Sequence, residues 1–538
     1  MANFDGKSTT HADTNCRVSE MGTMVEETTV EEATVAEKHR GTITDQRDMQ
    51  VLGRKQQLRR NFGFLSITGF GSNLMVTWEI VLAGSVTSSL TNGGTAGLFW
   101  GYTLVVVAYF LVYASLAEMA SMAPTSGGQY HWVSEFAPRS CQRYLSYLIG
   151  WMCFLGWQSN FCGVSFLVGT VLQGLISLCD PTYHALAWQG TMIVIGVILL
   201  TIIFNIFLVK KLPYIEGMLV ILHVMGLFAI MIPLWVLAPR NNAKAVFTEF
   251  TNNGGWSTKG ISFMVGLNPI VVTLNGFDSI VHMAEETKNA AKTIPRTIMW
   301  SMALNAAMGF AMMVTIVFTW GDMEEIRQTP TLYPFIQVFY NSTQSLGGTA
   351  AMTGVIILTL LSSTIATLAT TSRQIWSFAR DGGVPFSATI SEVSQRWLIP
   401  INAVLVTMAA ACVLSLINIG STTAINAFFT LGVGGGLTSY MISIGCLIWK
   451  RLCGESLPQR PWSLGRYGLA INLASLCFLA LFFVWGFVPP VTPVEPKAMN
   501  WGCLIYGFVV IFATIYYILC GKKVYNSPVE KVRRYLQK

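Results

Sequence analysis

The sequence predicts an all-α polytopic membrane protein with twelve transmembrane helices, and three observations carry that prediction. The chain of 538 residues is 52% hydrophobic but only 11% charged, less than half the charge of an average soluble domain, which is about 25%. Twelve stretches are apolar over the roughly 20 residues that a helix needs to cross hydrocarbon. Basic residues, finally, alternate between dense and sparse from one loop to the next.

Taken in order, residues 1–60 are polar and lack the basic, apolar and small-residue order of a cleavable signal peptide. Six acids and no base fall between Glu20 and Glu37, a composition that favours a disordered, solvated cytosolic arm. The spans follow at about 63–90, 97–121, 143–178, 188–208, 213–238, 261–284, 297–320, 350–372, 400–419, 424–448, 467–488 and 501–520. The third exceeds the bilayer thickness and requires a tilt, a kink or an extra turn outside it. Residues 61–238 and 239–448 each hold five spans, 449–520 hold the last two, and 521–538 form a second tail.

The loops set the orientation. Outside residues 1–50, 24 Lys and Arg fall on the side of both termini and five, Arg240, Lys244, Lys259, Arg327 and Lys497, on the other. Short basic loops resist translocation, so both termini are expected in the cytosol. The net charge of +7 is therefore a topology signal, and no nucleic acid is expected as a partner. The eleven cysteines have no paired spacing and read as small apolar packing residues. One N-x-S/T sequon, at Asn341, falls in a loop on the outer side and is a candidate glycosylation site.

Two spans are interrupted. SITGFGSNL (66–74) and TLNGFDS (273–279) place glycine inside apolar runs, Gly71 and Gly276 lying 205 residues apart in the first helix of each five-span unit. An interrupted helix frees amides and carbonyls, which hydrocarbon tolerates only against protein or a water-filled cavity. Paired glycine-interrupted spans in matching positions of two inverted halves point to a transporter's central site. The candidate binding residues are Gly69, Phe70, Gly71, Ser72, Asn73, Thr273, Leu274, Asn275, Gly276 and Phe277. Carbonyls freed at 273–276 favour an ammonium group, and amides of Ser72, Asn73 and Leu74, opening a second half-helix, favour a carboxylate. Phe70, Trp78, Trp157 and Phe277 offer aromatic faces to a cation. Against this stands a plainer reading, in which glycine in a membrane helix serves close packing and the aromatics fill the bundle.

Ionisable groups inside spans are expensive and thus functional candidates. They are Glu79, Glu118, His223 and Asp278, with Glu216 and His282 near span ends. Asp278 directly follows the second interruption and is expected to cap the half-helix after it, with proton carriage as the alternative. Glu118 reads as a coupling group, a gate contact or an interfacial acid, and Glu79 faces either substrate or a neighbouring helix. Glu285 and Glu286, ahead of Lys288, Lys292 and Arg296, lie in one inner loop, while Arg380 and Asp381 lie in another. A Glu286–Arg380 pair is the expected gate, with a solvated charged loop as the alternative.

Three runs, PTSGGQYHWV (124–133), GFDSIVHMAEETKNAAKTIPR (276–296) and SRQIWSFARDGGVP (372–385), resemble the amino acid, polyamine and organocation transporter superfamily, in particular its fungal amino acid and choline branch. The resemblance extends over roughly residues 60 to 520. It implies a five-plus-five inverted repeat with spans 1 and 6 unwound and two peripheral C-terminal helices. One departure is Ala290, where family members commonly have Pro. By the stretch VKKLPYIEGMLVILHVMG, His223 falls where some proton-coupled relatives have a lysine, and an imidazole exchanges a proton near neutral pH; a neutral histidine bonded to a neighbouring helix is the alternative. The implied function is a proton-coupled symporter of an amino acid or related small amine, in the plasma or the vacuolar membrane. A choline transporter of the same fold and a nutrient sensor that no longer transports are the alternatives. No cofactor or metal is expected, the drive being an ion gradient, that of H+. No nucleophile elbow, HExxH or phosphate loop points to an enzyme. The oligomeric state is not encoded in any motif.

Overall fold

A computed structural model describes residues 35–530 except 181, 322–325, 327–332, 421–423 and 497–498. Among these residues twelve helices are long and apolar enough to cross a membrane: Phe64–Gly84, Gly94–Met122, Gln142–Cys179, Ala187–Phe207, Val209–Leu237, Lys259–His282, Ala290–Thr319, Leu346–Arg380, Ile401–Ile419, Asn426–Leu452, Gly465–Gly486 and Gly502–Glu530. They are numbered spans 1 to 12. Backbone pairing of the strand kind is limited, among the described residues, to two isolated bridges. The third span does run long, at 38 residues, and so does the eighth, at 35. Thr258 opens span 6 by accepting the Ile261 amide at 3.2 Å, and Ser345 opens span 8 by accepting that of Gly348 at 3.2 Å.

Burial separates an inner from an outer set. Span 1 is 83% buried over its apolar stretch and span 12 only 6%, so span 12 stands at the periphery. Its Phe508, Ile511, Ile515 and Leu519 are exposed, an outward face that suits lipid. Span 3 packs against spans 8 and 10 at the centre. The contacts repeat between the halves: span 2 meets 7, span 3 meets 8 and span 4 meets 9, while span 1 on 7 is matched by span 6 on 2. This is the inverted repeat. Spans 11 and 12 lie against span 10.

Both helices at the centre of the repeat are broken, but not both where glycine predicts. Span 6 ends its first half at Leu274 and resumes at Ser279, with Gly276 at φ 132°, a conformation that glycine alone adopts at no steric cost. In span 1, by contrast, an α-helix runs from Phe64 to Met75 straight through Gly69 and Gly71, and the break falls at Val76, φ 38°. The physical reason is packing. A Cβ on Gly71 would come within 2.5 Å of Ile280 Cδ1, and one on Gly69 within 3.4 Å of the Glu216 carbonyl oxygen. The two glycines let neighbouring helices approach.

Residues 35–62 depart from the solvated arm expected up to residue 60. A helix at Ile43–Val51, with Thr42 and Asp45 in a capping box, lies against the face that carries both described ends of the chain, here the terminal face. Leu58, Phe62, Asp45, Arg54 and Arg60 are buried there. Charge in this segment finds partners in the loops: Asp45 accepts the amides of Asn289 at 2.8 Å and Ala290 at 3.0 Å, and Arg60 lies 3.3 Å from Asp45. A proline at 290 would have no amide to give. The acidic run from Glu20 lies outside the described residues apart from its last three positions, as do Arg327, Lys497 and the end of the second tail.

Candidate functional site

The break in span 6 frees backbone groups that span 2 receives. The Tyr113 hydroxyl accepts from the amides of Gly276 at 2.8 Å and Phe277 at 3.3 Å and donates to the Leu274 carbonyl at 2.7 Å. Tyr109 donates to Asn275 Oδ1 at 3.2 Å. Thr273 is still helical, its hydroxyl bonded to the Ile270 carbonyl at 2.7 Å. No sequence pattern marks Tyr113, because its role arises only when spans 2 and 6 meet.

Asp278 does not cap the half-helix that follows; its side chain makes no capping bond. Its carboxylate turns instead into the bundle. It accepts from Gln129 Nε2 at 2.6 Å, from Trp157 Nε1 at 3.3 Å and from the Tyr440 hydroxyl, with His282 Nε2 at 3.6 Å. Four elements thus converge on one buried carboxylate. Three hydrogen bonds offset its desolvation, and each contributes more than a neutral one. Beside it, Asn275, Gly276, Trp157 and Tyr440 line a chamber of about 10 Å³, room for about one water. The chamber is narrow because spans 3 and 10 touch backbone to backbone: a Cβ on Gly435 would sit 2.6 Å from the Met152 carbonyl oxygen, and one on Gly436 would lie 3.1 Å from Asn275 Nδ2.

The break in span 1 is built differently. Ser72, Asn73 and Leu74 belong to the last turn of the first half-helix, so they do not open the second one and their amides do not present a carboxylate site. The Leu74 carbonyl accepts from Ser363 Oγ of span 8. Asn73 Nδ2 donates to both the carbonyl and Oε2 of Glu216, each at 2.9 Å. Of the four aromatic candidates, Trp157 and Phe277 reach the span 6 break, Phe277 lying edge-on to Tyr113 at 5.2 Å. Phe70 instead meets Phe62 of the N-terminal segment at 5.8 Å, and Trp78 stacks on His223 at 6.0 Å.

His223 and Glu79, separate candidates in the sequence, form one buried unit. His223 Nδ1 is 2.7 Å from Glu79 Oε1 and its Nε2 3.3 Å from Asn305 Oδ1 of span 7, while Trp78 Nε1 donates to the His223 carbonyl at 3.1 Å. The acid of this pair lies three residues past Val76. The buried pair therefore lies beside the break in span 1.

At the terminal face the two acidic and basic loops meet, with partners other than those expected. Arg380 forms two bonds to Glu285, at 2.9 and 2.7 Å, and Glu286 pairs with Arg373 at 2.7 Å, so Glu286–Arg380 is not formed. Lys288, Lys292 and Arg296 are exposed. Arg54 adds a bidentate bond to Asp381 at 2.9 and 2.7 Å, which also accepts from the Tyr130 hydroxyl at 2.9 Å. Burial acts to raise the Glu285 carboxyl, but Arg380, with Arg54 and Arg60, outweighs it and holds the group below its ordinary value. Glu118 is not a free interfacial acid: Arg451, Arg460 at 3.0 Å and the Leu464 amide at 3.2 Å bind it, joining the end of span 10 and the segment after it to span 2. Asn341 lies on the helix Pro334–Thr343, half-buried, its Oδ1 accepting from Gln337 at 2.8 Å.

The opposite face is open further in. A cavity of about 290 Å³, lined among others by Ser88, Asn92, Val265, Val272 and Thr430, descends to within one helical turn of Asn275. It is larger than the chamber at Asp278, but no ionisable side chain lines it among the described residues.

Two broken helices, with a buried carboxylate at the second break, sealed toward one face and approached by a cavity from the other, define a membrane transporter of the inverted-repeat fold. Residues 62–510 match the amino acid permease family. The chain belongs to that family and is a transporter, not an enzyme. It is 30% identical over 438 residues to a Macrophomina phaseolina protein described as an amino acid/polyamine transporter, a match covering 80% of this chain and 96% of that one. It is 27% identical to a choline transporter of Saccharomyces cerevisiae, over 87% of this chain and 83% of the other. Amino-acid permease 2 of Neurospora crassa is 25% identical over 96% of this chain and 95% of its own.

Proposed function

We propose that the protein is a secondary active transporter that couples an amino acid or a related small amine to H+ and works by alternating access about the two breaks. The observation that carries this reading is the Asp278 carboxylate, buried beside the carbonyl end of the half-helix Lys259–Leu274. Negative charge at a helix carbonyl end favours a cationic nitrogen. Substrate descends the 290 Å³ cavity and takes its place when spans 3, 6 and 10 part around the chamber. The buried His223–Glu79 pair supports H+ as the coupling ion. The basic terminal face is assigned to the cytosol by the loop charges, the membrane being the plasma or the vacuolar one, and Asn341 is assigned to the outside as a glycosylation acceptor.

A second reading has its own support. The amides expected to hold a carboxylate are engaged in the helix ending at Met75, whereas Trp157, Tyr440, Phe277 and Tyr113 surround the break with aromatic rings. That lining suits choline or another quaternary ammonium. One experiment addresses both: purified protein in proteoliposomes is screened with labelled amino acids, polyamines and choline under an imposed pH gradient, alongside His223→Ala. Gradient-driven accumulation that His223→Ala abolishes supports the coupling. Accumulation indifferent to pH contradicts it, and binding without accumulation points to a sensor.

A further inference from the structure

Span 5 carries a second buried acid that the His223–Glu79 pair does not use. Glu216 and His223 are seven residues apart on one helix, Leu212–Leu237, so about two turns separate them and they share a face. That face meets span 1, and the two partners there straddle its break: Asn73 on one side of Val76 binds Glu216, and Glu79 on the other binds His223. Glu216 lies in the second turn of its helix, toward the terminal face, and is fully buried.

Its surroundings do not explain an acid. Among the described residues the carboxyl has one side-chain partner, the neutral amide of Asn73, and no cation. Of the groups around it, the turn Val209–Lys211 offers Lys210 and Lys211, its own helix Tyr214, span 1 Glu79, span 7 Lys292 and Arg296 at its exposed end, span 8 Arg373 and Arg380, and the helix Pro334–Thr343 Tyr340. None of these forms an ion pair or hydrogen bond with it. A leucine would fill the same space without the cost of burying a carboxyl. Both acids, moreover, keep a buried oxygen with no protein partner, Glu216 Oε1 and Glu79 Oε2, and so do the residues of span 1 around its break, at Ser72 Oγ, Asn73 Oδ1 and Thr77 Oγ1. Buried polar atoms are normally bonded, and unpartnered ones on either side of the break are groups that water can bridge.

We propose that Glu216 is a proton-relay residue, carrying H+ between the His223–Glu79 pair and the terminal face. The inference rests on the proton-coupled reading above. The imidazolium gives its Nδ1 proton to the Glu79 carboxylate. Through water bridging these polar groups that proton passes to the Glu216 carboxylate, restoring Glu79, and when the first half of span 1 moves aside it leaves to water. Only N–H and O–H bonds are made and broken, and one proton crosses per cycle.

The test uses the full chain in proteoliposomes, with a mixture of carbon-14 amino acids and labelled choline as the probe. Glu216→Gln is compared with Glu216→Asp and with the native protein in two assays, accumulation driven by a pH gradient and counterflow at equal pH. The relay predicts that Glu216→Gln lowers driven accumulation by about tenfold or more and abolishes its dependence on the pH of the compartment facing the terminal side. Counterflow stays at the native level and Glu216→Asp restores the drive. Full driven accumulation in Glu216→Gln overturns the relay and leaves the coupling intact. Equal loss of counterflow and drive, without rescue by Asp, makes Glu216 a packing residue and also overturns it. A native protein indifferent to the gradient overturns the coupling reading and the relay with it.

Discussion

The two breaks occupy equivalent places in the repeat yet are made by opposite means. In span 6 a glycine at φ 132° opens the helix, and a tyrosine hydroxyl from span 2 takes up three freed backbone groups. In span 1 a valine at φ 38° opens it, a position costly for a β-branched residue. One serine hydroxyl holds the freed Leu74 carbonyl there, and Asn73 and Glu79, on either side of the break, pair with Glu216 and His223 of span 5. The first break is permitted by its own residue; the second is imposed by its neighbours. Their surroundings divide likewise, the small chamber beside Asp278 lying at span 6 and the buried His223–Glu79 pair at span 1.

Asp278→Asn is the strongest test of that division. It keeps the shape of the hub but removes the charge to which Gln129, Trp157 and Tyr440 donate. Uptake of the substrate found in the vesicle screen should fall about a hundredfold, or about 3 kcal/mol, the upper range for a hydrogen bond to a charged group. A variant that still transports would move the site away from span 6. Next in size comes the pair Gly276→Ala and Val76→Gly. The alanine takes on a backbone strain of about 1–3 kcal/mol, while the glycine relieves strain at the expense of added freedom in the unfolded chain and stays within about 1 kcal/mol of native. Thermal unfolding in detergent ranks them, and the reverse order would erase the contrast between the breaks.

Gly71→Ala sharpens the comparison from the other side. The new methyl meets Ile280 Cδ1, and overpacking of this kind costs about 1–3 kcal/mol. Ile280→Val, which deletes that carbon, should return part of the lost melting temperature; a hinge role for Gly71 predicts no such recovery. The smallest effect belongs to the seal at the terminal face. Since the Glu285 carboxyl is held below its ordinary 4.5 in the folded chain, its stabilisation is present above that value and is lost as pH falls through the depressed one. Acid melting curves of the native protein should therefore fall more steeply below this range than those of Glu285→Gln, by under about 1 kcal/mol given the partly exposed Arg380.

How much of this was written in the chain depends on whether the cause is local. Twelve spans are legible because hydrophobic length is a property of consecutive residues, and the span 6 break because its glycine needs the geometry it supplies. Asp278 and His223 stood out as ionisable groups in apolar runs. What could not be read depends on who meets whom. Gly69 and Gly71 look like Gly276 in the sequence, yet only the approach of Glu216 and Ile280 turns them into contact points. The exchange of partners that joins Arg380 to Glu285 and Glu286 to Arg373 shifts each contact by a single residue or by about two helical turns, below what charge pattern resolves. Tyr113 and Val76 carry no signal at all outside the assembled bundle.

Asp45 gives the N-terminal stretch a standing that its polar composition conceals. By accepting the amide of Ala290, where relatives commonly have a residue without one, it makes the start of span 7 depend on a segment more than two hundred residues upstream. Trimming the chain past Thr42, as one would trim a dispensable leader for expression, would strip a bracket from the permease body, so an affinity tag belongs ahead of Val35.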